Sequence, residues 1–249
     1  MQNFFLNFLR LIVKLVVYLF FGTYKVVGYE NCPAKGPYIL VTNHMSAADV
    51  PVLLISFPGL APRFFAGEKW ESHWFFGPLM KWGGAIYIKR GEVDRKALKE
   101  GLEAIEQGAV FGLAPEGTRS RVRQMLRGRD GAAYLASKAN VPILPVGLVN
   151  TDVVFANARH LRRTRLECHI GKPFMLPDLG HRPKSYELSA YTHLIMVQIA
   201  ALLPERYYGY YADSPALAAL LRGEDAWPYC LEAERNKPEE RLRGVSEWQ

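Results

Sequence analysis

Short apolar runs rich in β-branched residues alternate with helix-like segments through most of the chain, and this alternation constrains the fold more than any other feature. Strands are predicted for residues 38–41, 85–88, 110–113, 141–150 and 166–170. Helices are predicted for residues 46–57, 94–108, 131–140 and 187–203. Strands joined through helices pair in parallel and are covered by those helices. The sequence therefore predicts an α/β fold with a largely parallel sheet flanked by helices.

Composition is sufficient for one such domain. The chain has 249 residues, of which 49% are hydrophobic, so it can bury one large core. Its net charge of +7 indicates an anionic partner, which could be nucleic acid, an anionic membrane or a phosphorylated substrate. The three cysteines are odd in number and far apart, so they predict neither a zinc site nor a disulfide framework. We expect residues 29–212 to form the domain and residues 213–249 to form a C-terminal helix and a charged tail.

Polar residues follow several of the predicted strands. His44 comes shortly after the first strand, Arg90 follows the strand at 85–88, and Glu116 to Arg119 follow the strand at 110–113. In parallel sheets, functional sites lie at the carboxyl ends of the strands. The sequence thus predicts a shared cleft at this edge of the sheet.

His44 is the first candidate in that cleft. On a continuous helix His44 and Asp49 would lie about 140° apart and could not touch. With His44 in the turn before a helix and Asp49 in its first turn, the carboxylate can fold back onto one imidazole nitrogen, which is the arrangement of a general base. The alternative is a capping aspartate and a histidine bonded to the backbone. Ser46 and Asp49 are predicted to form a capping box, and Ser46 lacks the GxSxG context of a nucleophile.

The segment after the strand at 110–113 predicts an anion site. Gly117 permits close backbone approach, Thr118 offers a hydroxyl, and Arg119 presents a planar fork that matches a phosphate. A carboxylate repels phosphate, so Glu116 is predicted to orient Arg119 or a substrate hydroxyl. Further arginines follow in a run that is either a solvated basic loop or a contact for anionic lipid headgroups; they are Arg121, Arg123, Arg127 and Arg129.

Residues 1–28 are predicted to be a helical, membrane-associating segment. Their longest uncharged apolar run, Leu15 to Tyr24, would rise only about 15 Å as a helix, against a hydrocarbon core of about 30 Å. One polar stripe interrupts the apolar surface, and it consists of Asn3, Asn7, Arg10 and Lys14. We interpret the segment as an interfacial helix; the alternatives are a signal peptide and a single spanning helix. Residues 63–82 mix aromatic and basic side chains, which suits either a wall that meets lipid or an ordinary core helix.

Four blocks of the sequence, taken in order, resemble the glycerolipid acyltransferase family. They are NHMSAAD at 43–49, similar to that family's NHxxxxD signature, GGAIYIKRG at 83–91, APEGTRSR at 114–121 and VPILPVGL at 141–148. Arg90 matches the arginine of the family's second block, and Lys69 falls where the family often has a lysine. The resemblance covers roughly residues 25–150.

The resemblance implies transfer of a fatty acyl group from a thioester, on acyl carrier protein or coenzyme A, to the free hydroxyl of lysophosphatidic acid. The product would be phosphatidic acid, an intermediate of phospholipid biosynthesis. His44 would deprotonate the hydroxyl and Asp49 would orient His44, without an acyl-enzyme. The acceptor would be bound by residues of the middle blocks and by the lysine; these are Lys69, Arg90, Glu116, Gly117, Thr118 and Arg119.

The resemblance further implies that no metal, organic cofactor or nucleic acid takes part, and that the protein lies monotopically on the cytoplasmic face of the cell inner membrane. Other acceptors remain open within the family: glycerol 3-phosphate, another lysophospholipid or a lyso-ornithine lipid. Two other classes also remain open. An esterase would pair His44 with a nucleophilic serine, and a non-catalytic membrane-binding protein would not need His44 at all.

Overall fold

The computed structural model describes residues 2–89 and 94–236, and within these a central sheet of seven strands organises the molecule. The strands are β1 (Gly22–Val27), β2 (Tyr38–Thr42), β3 (Arg63–Gly67), β4 (Ala85–Ile88), β5 (Val110–Leu113), β6 (Ile143–Val149) and β7 (Thr164–Ile170). Their order across the sheet is β1-β7-β6-β2-β5-β3-β4. Each neighbouring pair is parallel except β6 and β7, which are antiparallel.

Helices cover both faces of this sheet. They are α1 (Gln2–Val16), α2 (Asp49–Ser56), α3 (Phe76–Trp82), α4 (Arg95–Glu106), α5 (Gly131–Ala139), α6 (Val154–Arg159), α7 (Ser185–Ala200), α8 (Pro215–Leu221) and α9 (Trp227–Arg235). One core, with α4, α5, α7, α8 and α9, takes in Ile39 and Val41 of β2. The opposite core takes in Tyr38 and Leu40 and packs against α2. Alternate residues of β2 thus enter two cores, and every residue of the strand is buried.

Most predicted elements are confirmed. The strands at 85–88 and 110–113 have the predicted bounds, and the α/β class with a sheet flanked by helices is correct. The side chain of Asp94 caps α4 by accepting a hydrogen bond from the N–H of Ala97 at 3.0 Å. The left-handed Gly108, with φ of 89°, follows the end of the helix as expected.

Three predictions about elements are wrong. Residues 22–27, which were assigned to the N-terminal helical segment, form strand β1 and pair with β7 along their whole length. The predicted domain boundary at residue 28 therefore separates β1 from its own sheet. Residues 63–82 are not one helix, because β3 occupies 63–67 and α3 begins only at Phe76. The C-terminal part of the described chain holds two helices, α8 and α9, rather than one; the charged tail from residue 237 onward lies outside the described residues.

The direction of β1 determines where the N-terminal helix meets the sheet. Strand β1 is parallel to β7, β7 is antiparallel to β6, and β6 is parallel to β2. Strand β1 consequently runs opposite to β2, and its first residue, Gly22, lies at the edge where β2 ends. Helix α1 leads into this edge through the π-helical turn Val17–Phe21.

Helix α1 is attached to the domain along the side that carries Leu6 and Arg10, which are both buried. Arg10 is only 5% exposed, and its Nε donates to the carbonyl of Leu54 at 3.1 Å. Its guanidinium also donates to the carbonyl of Leu60 and to Oδ1 of Asn7. Arg10 is thus directed into the protein, which contradicts the prediction that the whole polar stripe is available to solvent or lipid headgroups.

The apolar side of α1 and of the turn after it is exposed. Seven apolar side chains of this region are each more than two-fifths exposed, and they are Phe8, Leu11, Ile12, Leu15, Tyr18, Leu19 and Phe20. Within the part of the chain that the structure describes, none of the helices has the length and hydropathy needed to span a bilayer.

Candidate active site

The site is built first from the turn between β2 and α2. The Nδ1 atom of His44 lies 2.7 Å from Oδ2 of Asp49, so the predicted contact is present. Asp49 is buried, at 2% exposure, whereas the His44 side chain is 25% exposed. The Nε2 atom of His44 makes no hydrogen bond to any described residue. The imidazole is therefore held at one nitrogen by a buried carboxylate and is open at the other.

Asp49 also shapes the turn that carries His44. The same Oδ2 atom accepts the main-chain N–H groups of Met45 and Ser46, both at 2.8 Å. The predicted capping box is only half correct. Asp49 bonds back to the N–H of Ser46, but Ser46 Oγ accepts from Ala48 at 3.2 Å and the helix itself begins at Asp49. The tight turn before Asp49 takes the place of the expected first helical residues.

Asn43 stabilises the strand below His44, which the sequence did not indicate. Its side chain is fully buried, donates to the carbonyl of Leu148 at 3.0 Å and accepts from the Leu148 N–H at 2.8 Å. This pair of bonds continues the β2–β6 ladder past the end of β2 and fixes the position of the next residue, His44.

Glu116 bonds to the backbone at two places, which the sequence did not predict. Its Oε1 accepts the main-chain N–H of His44 at 3.0 Å, and its Oε2 accepts the N–H of Leu126 at 3.0 Å. It is 2% exposed and makes no bond to Arg119 among the described contacts. Both carboxylate oxygens accept backbone N–H groups, and the interpretation that Glu116 orients Arg119 or a substrate hydroxyl stays a prediction.

The environment of Glu116 changes its protonation. Burial raises the pKa of Glu116 to about 7; the N–H groups of Leu126 and His44 oppose the rise, and the nearby charge of Asp49 adds to it. A further main-chain bond, from the N–H of Ser120 to the carbonyl of His44 at 2.8 Å, joins the same two segments. Glu116 and Ser120 together attach the His44 peptide to the turn after β5.

The other predicted site residues that the structure describes lie around this edge. Gly117 has φ of 70°, and Thr118 and Arg119 are exposed. Lys69 follows the end of β3, is exposed, and places its Nζ 5.3 Å from the ring centroid of Trp70. Arg90 lies outside the described residues. The described residues contain no cluster of His, Cys, Asp or Glu suited to a metal ion, and the expectation of a reaction without cofactor stays a prediction.

The fold and the site together define a class of protein. It is an α/β protein with a histidine whose Nδ1 contacts a buried carboxylate, at the carboxyl edge of a largely parallel sheet. Such a histidine can take a proton from a hydroxyl that reaches Nε2.

Comparison with known families specifies the class further. Residues 23–149 match the model of the family described as Acyltransferase, and the chain belongs to this family. The match begins inside β1 and ends at the last residue of β6, so it contains His44, Asp49 and the segment from Glu116 to Arg119.

Individual relatives carry more specific names. The chain is 35% identical over 136 residues to the 1-acyl-sn-glycerol-3-phosphate acyltransferase of Saccharomyces cerevisiae, covering 52% of this chain and 44% of the yeast protein. It is 30% identical over 162 residues to a probable enzyme of that name from Mycoplasma pneumoniae, covering 63% and 60%. The Bacillus subtilis enzyme is 23% identical over 202 residues, covering 81% and 96%. The match therefore spans about half the length of the first two relatives.

A solved structure has the same fold. The crystal structure of the 1-acyl-sn-glycerophosphate (LPA) acyltransferase from Thermotoga maritima aligns with a TM-score of 0.62 and 24% sequence identity, covering 81% of this chain and 79% of that one. At this identity the likeness supports the architecture only.

Proposed function

We propose that the protein transfers a fatty acyl group from an acyl thioester to the free hydroxyl of lysophosphatidic acid, giving phosphatidic acid. The observation that carries the proposal is His44, with Nδ1 bonded to buried Asp49 at 2.7 Å and Nε2 open. Family membership and the names of the relatives support the reaction type and the acceptor. The donor is acyl carrier protein or coenzyme A thioester.

The reaction follows from the open nitrogen. His44 Nε2 takes the proton of the acceptor hydroxyl while Asp49 stabilises the imidazolium that forms. The alkoxide oxygen attacks the thioester carbonyl carbon, the carbon–sulfur bond breaks, and the departing thiolate recovers the proton from His44. Because the acceptor attacks directly, no covalent acyl-enzyme is formed.

The acceptor's phosphate would lie on the turn after β5. Arg119 is exposed and is followed by Ser120, whose N–H donates to the His44 carbonyl, so the backbone that carries this cation lies close in space to His44. Gly117 and Thr118 complete this turn, Lys69 is a further candidate contact at the same sheet edge, and Arg90 is a candidate from the sequence alone. Glu116, which can take up a proton, would hold this turn to His44, the proposed base.

The protein would act at a membrane surface. The exposed apolar side of α1 supports a monotopic attachment, and Arg10 leaves this side free because it bonds into the domain. We place the protein on the cytoplasmic face of the cell inner membrane, where acyl thioesters are available.

The test uses purified protein and a labelled acyl thioester, offered with each acceptor in turn. Lysophosphatidic acid should be acylated, and His44→Ala should lower turnover by roughly 100- to 10,000-fold with little effect on acceptor binding, because it removes the base. Asp49→Asn should also lower turnover. Preferred acylation of another acceptor would replace lysophosphatidic acid in the proposal. A trapped acyl-enzyme, or full turnover by His44→Ala, would contradict the mechanism.

A further inference from the structure

Arg129 contacts the turn after β5, although it is thirteen positions beyond Glu116 in the chain. Its N–H donates to the carbonyl of Pro115 at 2.8 Å. Its side chain lies directly over Gly117: a Cβ at that position would be 2.9 Å from Cδ and 3.1 Å from Nε of Arg129. Two features therefore require glycine at position 117. One is its φ of 70°, and the other is that any side chain there would displace Arg129.

The arginines at this turn are not paired with the acidic side chains that the structure describes. Arg119 and Arg129 are both exposed, and neither forms an ion pair with a described acidic side chain. Glu116, the acidic residue nearest in sequence to Arg119, is buried and bonded to main-chain N–H groups. Two guanidinium groups, one on the turn and one from the side chain that lies over it, thus form no ion pair within the described residues, and a guanidinium fork matches a phosphate bidentately.

We propose that Arg129 is a second phosphate-binding residue and that it makes the enzyme select acceptors with a phosphomonoester over acceptors with a phosphodiester. A phosphomonoester carries a charge of about −1.5 to −2 at neutral pH, and two cations neutralise it. A phosphodiester carries a single charge, for which Arg119 suffices. The inference rests on the proposed function and names the residue that determines which acceptor headgroup the enzyme selects.

The structure offers a matched control. Arg121 belongs to the same loop, carries the same charge and is exposed, but the three atoms nearest to a Cβ at Gly117 all belong to Arg129. Arg121→Ala lowers the net charge by the same amount as Arg129→Ala and leaves the turn after β5 unchanged. Arg129→Lys keeps the charge of Arg129 but not the planar fork.

The experiment measures kcat/KM for two acceptors of equal chain length, lysophosphatidic acid and lysophosphatidylglycerol, in mixed detergent micelles. In Arg129→Ala the value for the monoester should fall about 10- to 100-fold, the range for a lost hydrogen bond to a charged group, and the value for the diester less than about threefold. Arg129→Lys should recover part of the monoester value. In Arg121→Ala the ratio between the two acceptors should stay that of the wild type.

Two results separate this inference from the proposed function. A wild-type enzyme that acylates neither acceptor would overturn the proposed function and the inference with it. An active wild type whose acceptor ratio is unchanged by Arg129→Ala, or is changed equally by Arg121→Ala, would overturn the inference alone. Circular dichroism and thermal unfolding of each variant distinguish these outcomes from loss of the fold.

Discussion

At the scale of single residues, one carboxylate oxygen of Asp49 makes all of the hydrogen bonds described above for this side chain. Oδ2 receives the His44 ring and two main-chain N–H groups, all from residues within five positions of Asp49. Hydrogen bonds to the ionised carboxylate are stronger than neutral ones, so the turn and the orientation of the imidazole are stabilised by the same charge.

Glu116 gives a prediction for stability as a function of pH. Its folded-state pKa is raised from 4.5 to about 7, so between these values the folded protein binds a proton more readily than the unfolded chain. The free energy of unfolding should therefore fall as pH rises through this window, by about 3 kcal/mol from this group. Glu116→Gln cannot ionise and should lack this contribution.

The measurement is chemical denaturation of wild type and Glu116→Gln at several pH values. The difference between the two unfolding free energies cancels the other titrating groups. As the pH rises from about 4.5 to about 7, the unfolding free energy of the wild type should fall relative to that of Glu116→Gln. A difference that stays constant over this window would show that Glu116 has an ordinary pKa.

The residues of the site differ in how far sequence alone could predict them. His44 and Asp49 are five positions apart, and their contact follows from a strand, a turn and a helix start, all of which have local signals. The bond from Glu116 to the His44 N–H joins residues 72 positions apart. It depends on β2 and β5 being neighbours in the sheet, and no local pattern specifies that pairing. Asn43 was missed for the same reason, since its partner lies in β6.

At the scale of elements, the attachment of α1 to α2 is the feature that the sequence pattern misplaced. Arg10 belongs to a stripe that has the spacing of a solvent-exposed helix face. The structure directs it instead to the carbonyls of Leu54, in the last turn of α2, and of Leu60. A cation at a helix C-terminus is favourable because it satisfies carbonyls that have no partner within the helix.

Replacement of Arg10 tests this attachment. Arg10→Met keeps the aliphatic length but removes the donors, so buried carbonyls lose their partners, and the free energy of unfolding should fall by about 1.5 to 3 kcal/mol. Lys14→Met is the control on the same helix, since Lys14 makes no hydrogen bond to the described residues. Chemical denaturation of both variants measures the difference. Equal losses would mean that the bonds of Arg10 do not stabilise the protein.

Strand β1 was missed for a different reason. Its sequence, GTYKVV, is short, and four of its six residues are exposed because it lies at the edge of the sheet. An edge strand buries little, so the alternation of apolar and polar residues is weak. The central strands β2, β5 and β6 are covered by helices on both faces, and their continuous apolar runs made them predictable.

At the scale of the whole molecule, the exposed apolar surface of α1 predicts that the protein binds membranes through this helix. Leu11 and Leu15 are 64% and 56% exposed and lie one turn apart. Changing both to Gln should weaken binding to liposomes by about 3 to 6 kcal/mol, from the loss of two buried apolar side chains, without unfolding the domain. The net charge of +7 should make a smaller contribution to liposome binding, which high salt should remove.

Flotation with anionic and neutral liposomes at low and high salt measures this binding. The control variant changes Met175 and Leu221, which are 47% and 54% exposed and lie away from α1, to Gln. High salt alone should leave most of the wild type on the liposomes. Equal release of the two double variants, or complete release of the wild type by salt, would contradict attachment through α1.

The direction of β1 has a kinetic consequence. The apolar turn that leads into β1 lies at the same sheet edge as His44, three strands away, or roughly 14 Å at the usual spacing between strands. On a bilayer, an acceptor would then reach the base by lateral diffusion among its neighbours and would not first dissolve in water. The effective concentration of the acceptor is then a surface density. In mixed micelles the rate should therefore follow the mole fraction of acceptor at the interface. The rate should stay constant when the whole suspension is diluted at fixed composition.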